Sequence, residues 1–277
     1  MLLLLLLQVL ASCLWLGHSD VVTSFQSCPQ FFLDETPPNN ALVPDNPARI
    51  CQRYNNQFYY ATLYDRDLRI PVYSAYRYQP GDDTKPGKIW MVEPQLIDPD
   101  YPNGMEKVST LISGSHVTLE QISESQAIPD DYNDLKNFSH GQLNPTSHQP
   151  SSNSKKATFS LTNIIPQDEK LDNGAWNQYE VQTMTSKAKF CTSTYVIMGA
   201  VPGNDSISSG RVNVPSYIWS GACCEMGMDE DKKAWGAIAK NDKNAVQVMT
   251  LGQLEDRLTQ LYKRGDVSLF HPDCPRD

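Results

Sequence analysis

The sequence predicts an α+β fold: one domain with a mixed or antiparallel β-sheet and few helices, stapled by disulfides. Three observations predict it. Aromatic and β-branched runs bounded by turn residues dominate the first half of the chain. Helical signatures are confined to a few separate segments, and six cysteines follow an apolar leader. Neither an internal repeat nor a clean linker divides the 277 residues, and hydrophobic residues at 40% suffice for a core.

The leader comes first. Met1 is followed by six leucines, and the apolar run continues through Val9, Leu10, Ala11 and Leu14 to Leu16. It breaks at Gly17, His18, Ser19 and Asp20. Such a run reads as a secretory signal peptide, although the basic stretch that usually opens one is missing. It is shorter than the ~18 apolar residues that a membrane span requires. The expectation is therefore a leader over 1–19, removed near Ser19, a secreted domain over 20–277, and no transmembrane anchor.

The first expected strand is Phe58–Tyr64. Asp65–Arg69 reads as a turn and Ile70–Tyr78 as a second strand, so the two form a hairpin. Gln79–Gly87 is loop chemistry, and Ile89–Val92 begins a third strand. A helix-compatible segment follows His116, and Asn144–Asn153 reads as a long loop of the kind that often carries function. Ala157–Leu161 reads as a strand, Asp172 to about Lys187 as a helix, and Tyr195–Met198 and Val214–Ile218 as strands. Thr250 and Gln253 form a capping box before a stripe of Leu251, Leu254, Leu258 and Leu261.

Seven cysteines occur, of which Cys13 leaves with the leader. The remaining six are Cys28, Cys51, Cys191, Cys223, Cys224 and Cys274. An even number in an oxidising compartment predicts three disulfides, with the short loop Cys28–Cys51 as the favoured pair. Cys223 and Cys224 must then look to Cys191 and Cys274, because adjacent cysteines rarely bridge each other. A zinc site has no C-x-x-C pair and no nearby histidine to support it. Two glycosylation sequons, at Asn137 and Asn204, suit the same compartment.

The formal net charge of −9 bears on partners. A protein that grips a polyanion by electrostatics alone carries a basic face. Here a divalent cation or a local cluster of arginines must offset the repulsion if nucleic acid is bound.

Three patterns carry chemistry: Ser139-His140-Gly141-Gln142-Leu143-Asn144-Pro145, Asn163-Ile164-Ile165-Pro166-Gln167, and Leu171 through Glu180. On a helix, Asp172, Trp176 and Glu180 stand at i, i+4 and i+8, on one face. Asp172 would begin that helix, where the dipole favours a carboxylate. Two such carboxylates could hold Mg²⁺, which takes one or two from the protein and keeps several waters. An N-cap, a core Trp and a solvated Glu is the plainer alternative. His140 can accept a proton near neutral pH, whereas Gln142 cannot.

In this order and spacing the patterns resemble the DNA/RNA non-specific endonucleases, a family of ββα-metal nucleases. That family carries Asp-Arg-Gly-His on a strand, an Asn-x-x-Pro-Gln turn, and Asn-x-x-x-Trp with a Glu four residues after the Trp. Ile70–Tyr76, Trp90–Pro94, Tyr195–Pro202, Val214–Trp219 and the pair Cys223-Cys224 resemble in particular its vertebrate endonuclease domain-containing 1 branch. The resemblance covers nearly all of the chain after the leader. It implies a ββα-metal motif, Mg²⁺ as cofactor, DNA or RNA as partner, Asp172 and Glu180 as metal ligands, and Ser139, His140 and Asn163 at the nucleic acid. The departures matter as much. Gln142 stands where the family has its catalytic His, Ser139 and His140 replace its Asp and Arg, and Asp172 replaces its Asn. Glu180 is intact. The resemblance thus implies phosphodiester hydrolysis involving His140, Gln142 and Glu180, impaired by the lost base. The competing expectation is an inactive extracellular binding protein on the same fold. A purely structural secreted protein is a third reading, weakened by the retained register of Asp172, Trp176 and Glu180.

Overall fold

The computed structural model describes residues 20–81, 86–87, 89–227 and 231–277. The expected leader, with Cys13, lies outside the described residues, as does part of the Gln79–Gly87 loop. Among the described residues no helix is long and apolar enough to cross a membrane.

In chain order the strands are β1 (Val21–Val22), β2 (Pro47–Tyr54), β3 (Gln57–Asp65), β4 (Ile70–Arg77), β5 (Met91–Val92), β6 (Glu106–Lys107) and β7 (Phe138–Gln142). They continue with β8 (Ile164–Asp168), β9 (Ser193–Val201), β10 (Asp205–Ile207), β11 (Val212–Val214), β12 (Tyr217–Met226), β13 (Asp231–Lys240) and β14 (Gln247–Met249). Eight of them build one sheet in the order β1-β2-β3-β4-β9-β12-β13-β14, antiparallel at every junction. The expected hairpin is β3–β4. Its turn is closed by Asp65, whose Oδ1 accepts from the backbone N–H of Asp67 and Leu68 at 2.9 and 3.0 Å.

This sheet is covered on both faces, as its strand patterns require. Alternate residues point to opposite sides, so Tyr76, Val196, Met198, Ala222 and Trp235 enter one core. Their neighbours Ala75, Ile197, Cys223 and Ile238 enter another. The first core supports β7, β8 and the helix that follows them. The second is closed by the segment around Phe25–Leu33 and by the helix over Leu251–Tyr262. That helix begins at the expected box, with Thr250 accepting from the Gln253 N–H. Leu251, Leu254 and Leu258 are fully buried, each contributing about 1.5–3 kcal/mol.

Three disulfides close the scaffold: Cys28–Cys51, Cys191–Cys224 and Cys223–Cys274. The favoured pair is present. The adjacent cysteines on β12 face opposite sides of the sheet, so each takes a different partner.

Several elements differ from expectation. Ala157–Leu161 is not a strand. Ser151 caps a short helix, α3 (Ser152–Ala157), which follows α1 (Val108–Ser115) and α2 (Leu119–Ser125). The chain then turns, leaving only an isolated bridge from Ser160 to Met91. The expected Asn144–Asn153 loop accordingly holds a 3-10 turn over Thr146–His148 and the start of α3. Val214–Ile218 is two strands, because β11 ends before Pro215 and β12 starts after Ser216. The β4 strand stops at Arg77, and only Met91–Val92 of the third expected strand pairs. The helix expected from Asp172 begins earlier. Asp168 is its cap, accepting from the Leu171 N–H at 2.9 Å, and the helical run, α4, spans 169–187. The helix over Leu251–Tyr262 is α5.

Candidate functional site

The site is assembled from a strand pair and a helix. β7 and β8 run antiparallel, with Ser139 opposite Gln167, His140 opposite Pro166 and Gly141 opposite Ile165. β8 passes directly into α4 through the Asp168 cap. Gly141 is required at this crossing: a Cβ there would lie 2.2 Å from Gln167 Oε1 and 2.6 Å from Gln167 Cβ.

α4 is not a regular helix. It contains π turns over Asp172–Trp176 and Tyr179–Thr183, and Gly174 leaves helical geometry at φ −113, ψ −112. The cause is an inserted side chain, since Asn244 Oδ1 accepts from the Ala175 N–H at 2.7 Å. Wide turns of this kind frequently occur at functional sites.

Ser139 Oγ donates to Asp172 Oδ2 at 2.6 Å, so the strand motif and the helix motif meet. Glu180 belongs to the same cluster. Burial raises its carboxyl well above the usual range, the Asp172 charge adds to the rise, and a hydrogen bond from the Trp176 side chain opposes it. Two mutually repelling carboxylates on one helix, with a hydroxyl beside them, fit a small hard cation held by one or two carboxylates. Trp176 itself is core.

His140 is half-buried, its ring stacked on Trp90 at 4.6 Å and on Tyr132 at 5.1 Å between centroids. Gln142 is held by its amide. Nε2 donates to the carbonyl and hydroxyl of Thr158 at 3.0 and 2.9 Å, and Oε1 accepts from Thr146 Oγ1 at 2.9 Å. Asn163 corrects an expectation. It is fully buried; its Nδ2 donates to the Asn144 and Thr158 carbonyls, and its Oδ1 accepts from Ser74 Oγ and the Asn144 N–H. An amide enclosed and occupied in this way is a brace, with no surface to offer a polymer. Asn137 and Asn204 are exposed.

One participant went unrecognised in the sequence. His148, 1% exposed, links Glu180 to the sheet. Its Nε2 lies 2.9 Å from the Glu180 carbonyl and its Nδ1 2.9 Å from the Tyr76 hydroxyl. A carbonyl only accepts, so Nε2 carries the proton and Nδ1 accepts from Tyr76. Burial pushes this imidazole down to about 4, against the bond to the Glu180 carbonyl. It stays neutral at physiological pH.

A second group of possible ligands, Asp34, His271 and Asp273, lies elsewhere. Lys232 Nζ stands 3.2 Å from Asp34 and 3.8 Å from Asp273, so a cation already balances these acids.

Comparison with known proteins follows the same lines. The family model for DNA/RNA non-specific endonuclease matches residues 37–263. A human endonuclease domain-containing 1 protein is 32% identical over 203 residues, covering 72% of this chain and 39% of its own length. The mouse counterpart is 31% identical over 205 residues with the same coverage, so the chain spans well under half the length of both relatives. A chain from a crystal structure of the EndoG/EndoGI complex superposes with a TM-score of 0.51 over 76% of this chain and 83% of that one. At 16% identity this superposition speaks for the fold alone.

Proposed function

The chain belongs to the DNA/RNA non-specific endonuclease family, and from that membership we propose a secreted nuclease-fold protein in which Gln142 limits phosphodiester hydrolysis. Family membership supports nucleic acid as the partner and a divalent metal ion as the cofactor. Mg²⁺ is the ion proposed here, with Asp172 and Glu180 as the residues that would hold it. When bound, it would supply charge stabilisation at the phosphate. The apolar leader and the three disulfides support secretion. Glycans are proposed at Asn137 and Asn204.

The observation that carries the reading is the state of Gln142. At the position of the family's base stands an amide with three hydrogen bonds to Thr146 and Thr158. It can orient a water through its remaining acceptor capacity, but it takes no proton at neutral pH. His140 is the imidazole on β7, and its two aromatic neighbours fix the plane of its ring. His148 is neutral but enclosed, so its part is to hold the backbone of Glu180. Ser139 orients Asp172 through its hydroxyl. The locked amide equally favours the second reading, an extracellular binder that keeps the cation site without turnover.

Plasmid nicking with and without Mg²⁺ separates the two. Gln142→His is expected to raise Mg²⁺-dependent cleavage by roughly 10²–10⁴-fold, the usual contribution of a general base. If His140 is already the working base, the wild type cleaves and His140→Ala abolishes it. Inertness of the wild type and of Gln142→His, with Mg²⁺ binding intact, would establish the binder and refute the enzyme.

A further inference from the structure

An acidic chain that meets nucleic acid needs a local concentration of positive charge, and one cleft provides it. About 400 Å³ in volume, it opens where the start of β12, the end of β13 and α5 meet, and its charged lining residues are Lys240, Lys243 and Arg257. All three are exposed. Among the described residues none of them is paired with a carboxylate within salt-bridge distance. Asp242 and Asp256, the nearest acids in sequence, do not line the cleft. Tyr217 is its aromatic wall: Lys240, its cross-strand partner, stands 6.0 Å from the ring centroid and Arg257 stands 5.7 Å from it. Three cations gathered on one exposed surface raise the local positive potential, which attracts an anion.

The cleft is tied to the candidate site. Asn241, next to Lys240, donates to the Pro166 and Pro215 carbonyls and accepts from the Asp168 N–H at 2.8 Å. Asn244, next to Lys243, reaches into the kink of α4 and accepts from Ala175, three residues after Asp172. The loop that presents Lys243 is therefore anchored at both the end of β8 and the π turn that carries Asp172.

We propose that Lys240, Lys243 and Arg257, grouped around Tyr217, form a phosphate-binding subsite for the backbone of a nucleic-acid strand. The inference rests on the nuclease-family reading above and names where the strand goes. Phosphate contacts fix register without reading sequence, as suits a non-specific binder. The Tyr217 ring holds Lys240 and Arg257 in the cleft through cation–π contacts.

The test is binding of a fluorescein-labelled single-stranded 20-mer DNA to the purified disulfide-bonded protein in EDTA, as a function of salt. A triple variant, Lys240→Gln with Lys243→Gln and Arg257→Gln, is compared with Lys187→Gln, Lys189→Gln, Lys233→Gln, which removes the same charge elsewhere. The first triple is expected to weaken binding by about 10–50-fold at 0.15 M salt and to flatten the log–log salt slope by up to about 2, from ~0.7 per phosphate contact. The control is expected to keep the wild-type slope. Equal slopes in wild type and first triple overturn the subsite while leaving nucleic-acid binding standing. Equal losses in both triples overturn it as a net-charge effect. A wild type that binds no 20-mer at any salt refutes the nuclease-family reading of partner, and the subsite with it. Retained 20-mer binding with lost binding to phosphatidylserine vesicles would reassign the cleft to a membrane surface and overturn the proposal.

Discussion

Acidification should destabilise this protein through one buried ring, His148. The ordinary histidine value is 6.5 and burial takes His148 to about 4. That difference corresponds to about 3 kcal/mol at ~1.36 kcal/mol per pH unit. The sign follows from where the proton goes. Below pH 6.5 the unfolded chain binds a proton at this residue while the folded chain, down to about 4, does not. The contribution of the neutral ring is thus complete above pH 6.5 and is lost as pH falls from 6.5 towards 4. His148→Gln cannot titrate, and its amide can still donate towards the Glu180 carbonyl. Melting temperatures of both proteins, disulfides intact, should therefore be measured from pH 7 to pH 4. At ~2–4 °C per kcal/mol for a chain of this size, the advantage of the wild type should shrink by roughly 6–12 °C across that window. Asp20 and Glu93 also titrate here, raised to about 6 and about 8 by burial, but they are present in both proteins and cancel in the difference. Parallel curves would refute the neutral, doubly bonded ring and with it the brace on Glu180.

Other perturbations test other parts of the scaffold. Glu93, buried and bonded by Ser160 Oγ at 2.7 Å, is held mainly protonated at neutral pH. Its raised value means that the folded form loses relative stability as pH rises from 4.5 to about 8. Glu93→Gln should therefore gain in melting temperature over the wild type through that range and level off above it; a constant difference would contradict the protonated carboxyl. Replacing Cys28 and Cys51 together by Ser opens a loop with a sequence separation of 23. By loop-closure entropy this should cost about 3 kcal/mol and lower the melting temperature by several degrees, and an unchanged midpoint in calorimetry would count against it. Gly141→Ala should lower the melting temperature by an amount equivalent to about 1–3 kcal/mol, because its methyl meets Gln167, and it should reduce the Mg²⁺ binding proposed at Asp172, read by isothermal titration. A variant as stable as wild type would show that β7 and β8 approach less closely than described.

The elements that could be read from sequence are those with strong local chemistry. The β3–β4 hairpin announced itself by two apolar runs around an Asp-rich turn, and α5 by its capping box and leucine stripe. The Cys28–Cys51 pair followed from loop length. β2 carries no clear strand signal because Arg49, Gln52 and Arg53 interrupt its apolar residues, and β13 none because its lysines and the small residues Ala234, Gly236 and Ala237 mask its alternation. Ala157–Leu161 reads as a strand through its β-favouring residues Thr158 and Phe159, but in the fold these follow a capped helix and turn away from any ladder. At the site, the Asp172–Trp176–Glu180 spacing located α4, yet nothing local foretells that Asn244 opens its first turns. His148 sits in a polar stretch like any loop histidine, and only the fold brings it to Glu180. The burial of Asn163 was equally illegible, since a brace and a ligand contact use the same amide.

The neighbouring cysteines of β12 have a further consequence for how the chain matures. Cys223 reaches the C-terminal segment on one side of the sheet and Cys224 the end of α4 on the other. A slip of β12 by one residue against its neighbours would turn each sulfur to the wrong side, offering Cys224 to Cys274 and Cys223 to Cys191. Oxidation of both bridges in their native pairing is therefore available only to chains whose central strand is correctly aligned. The two bonds act as a proofreading step: they lock in an arrangement that the hydrogen-bonded ladder, which repeats along the strand, specifies less sharply by itself.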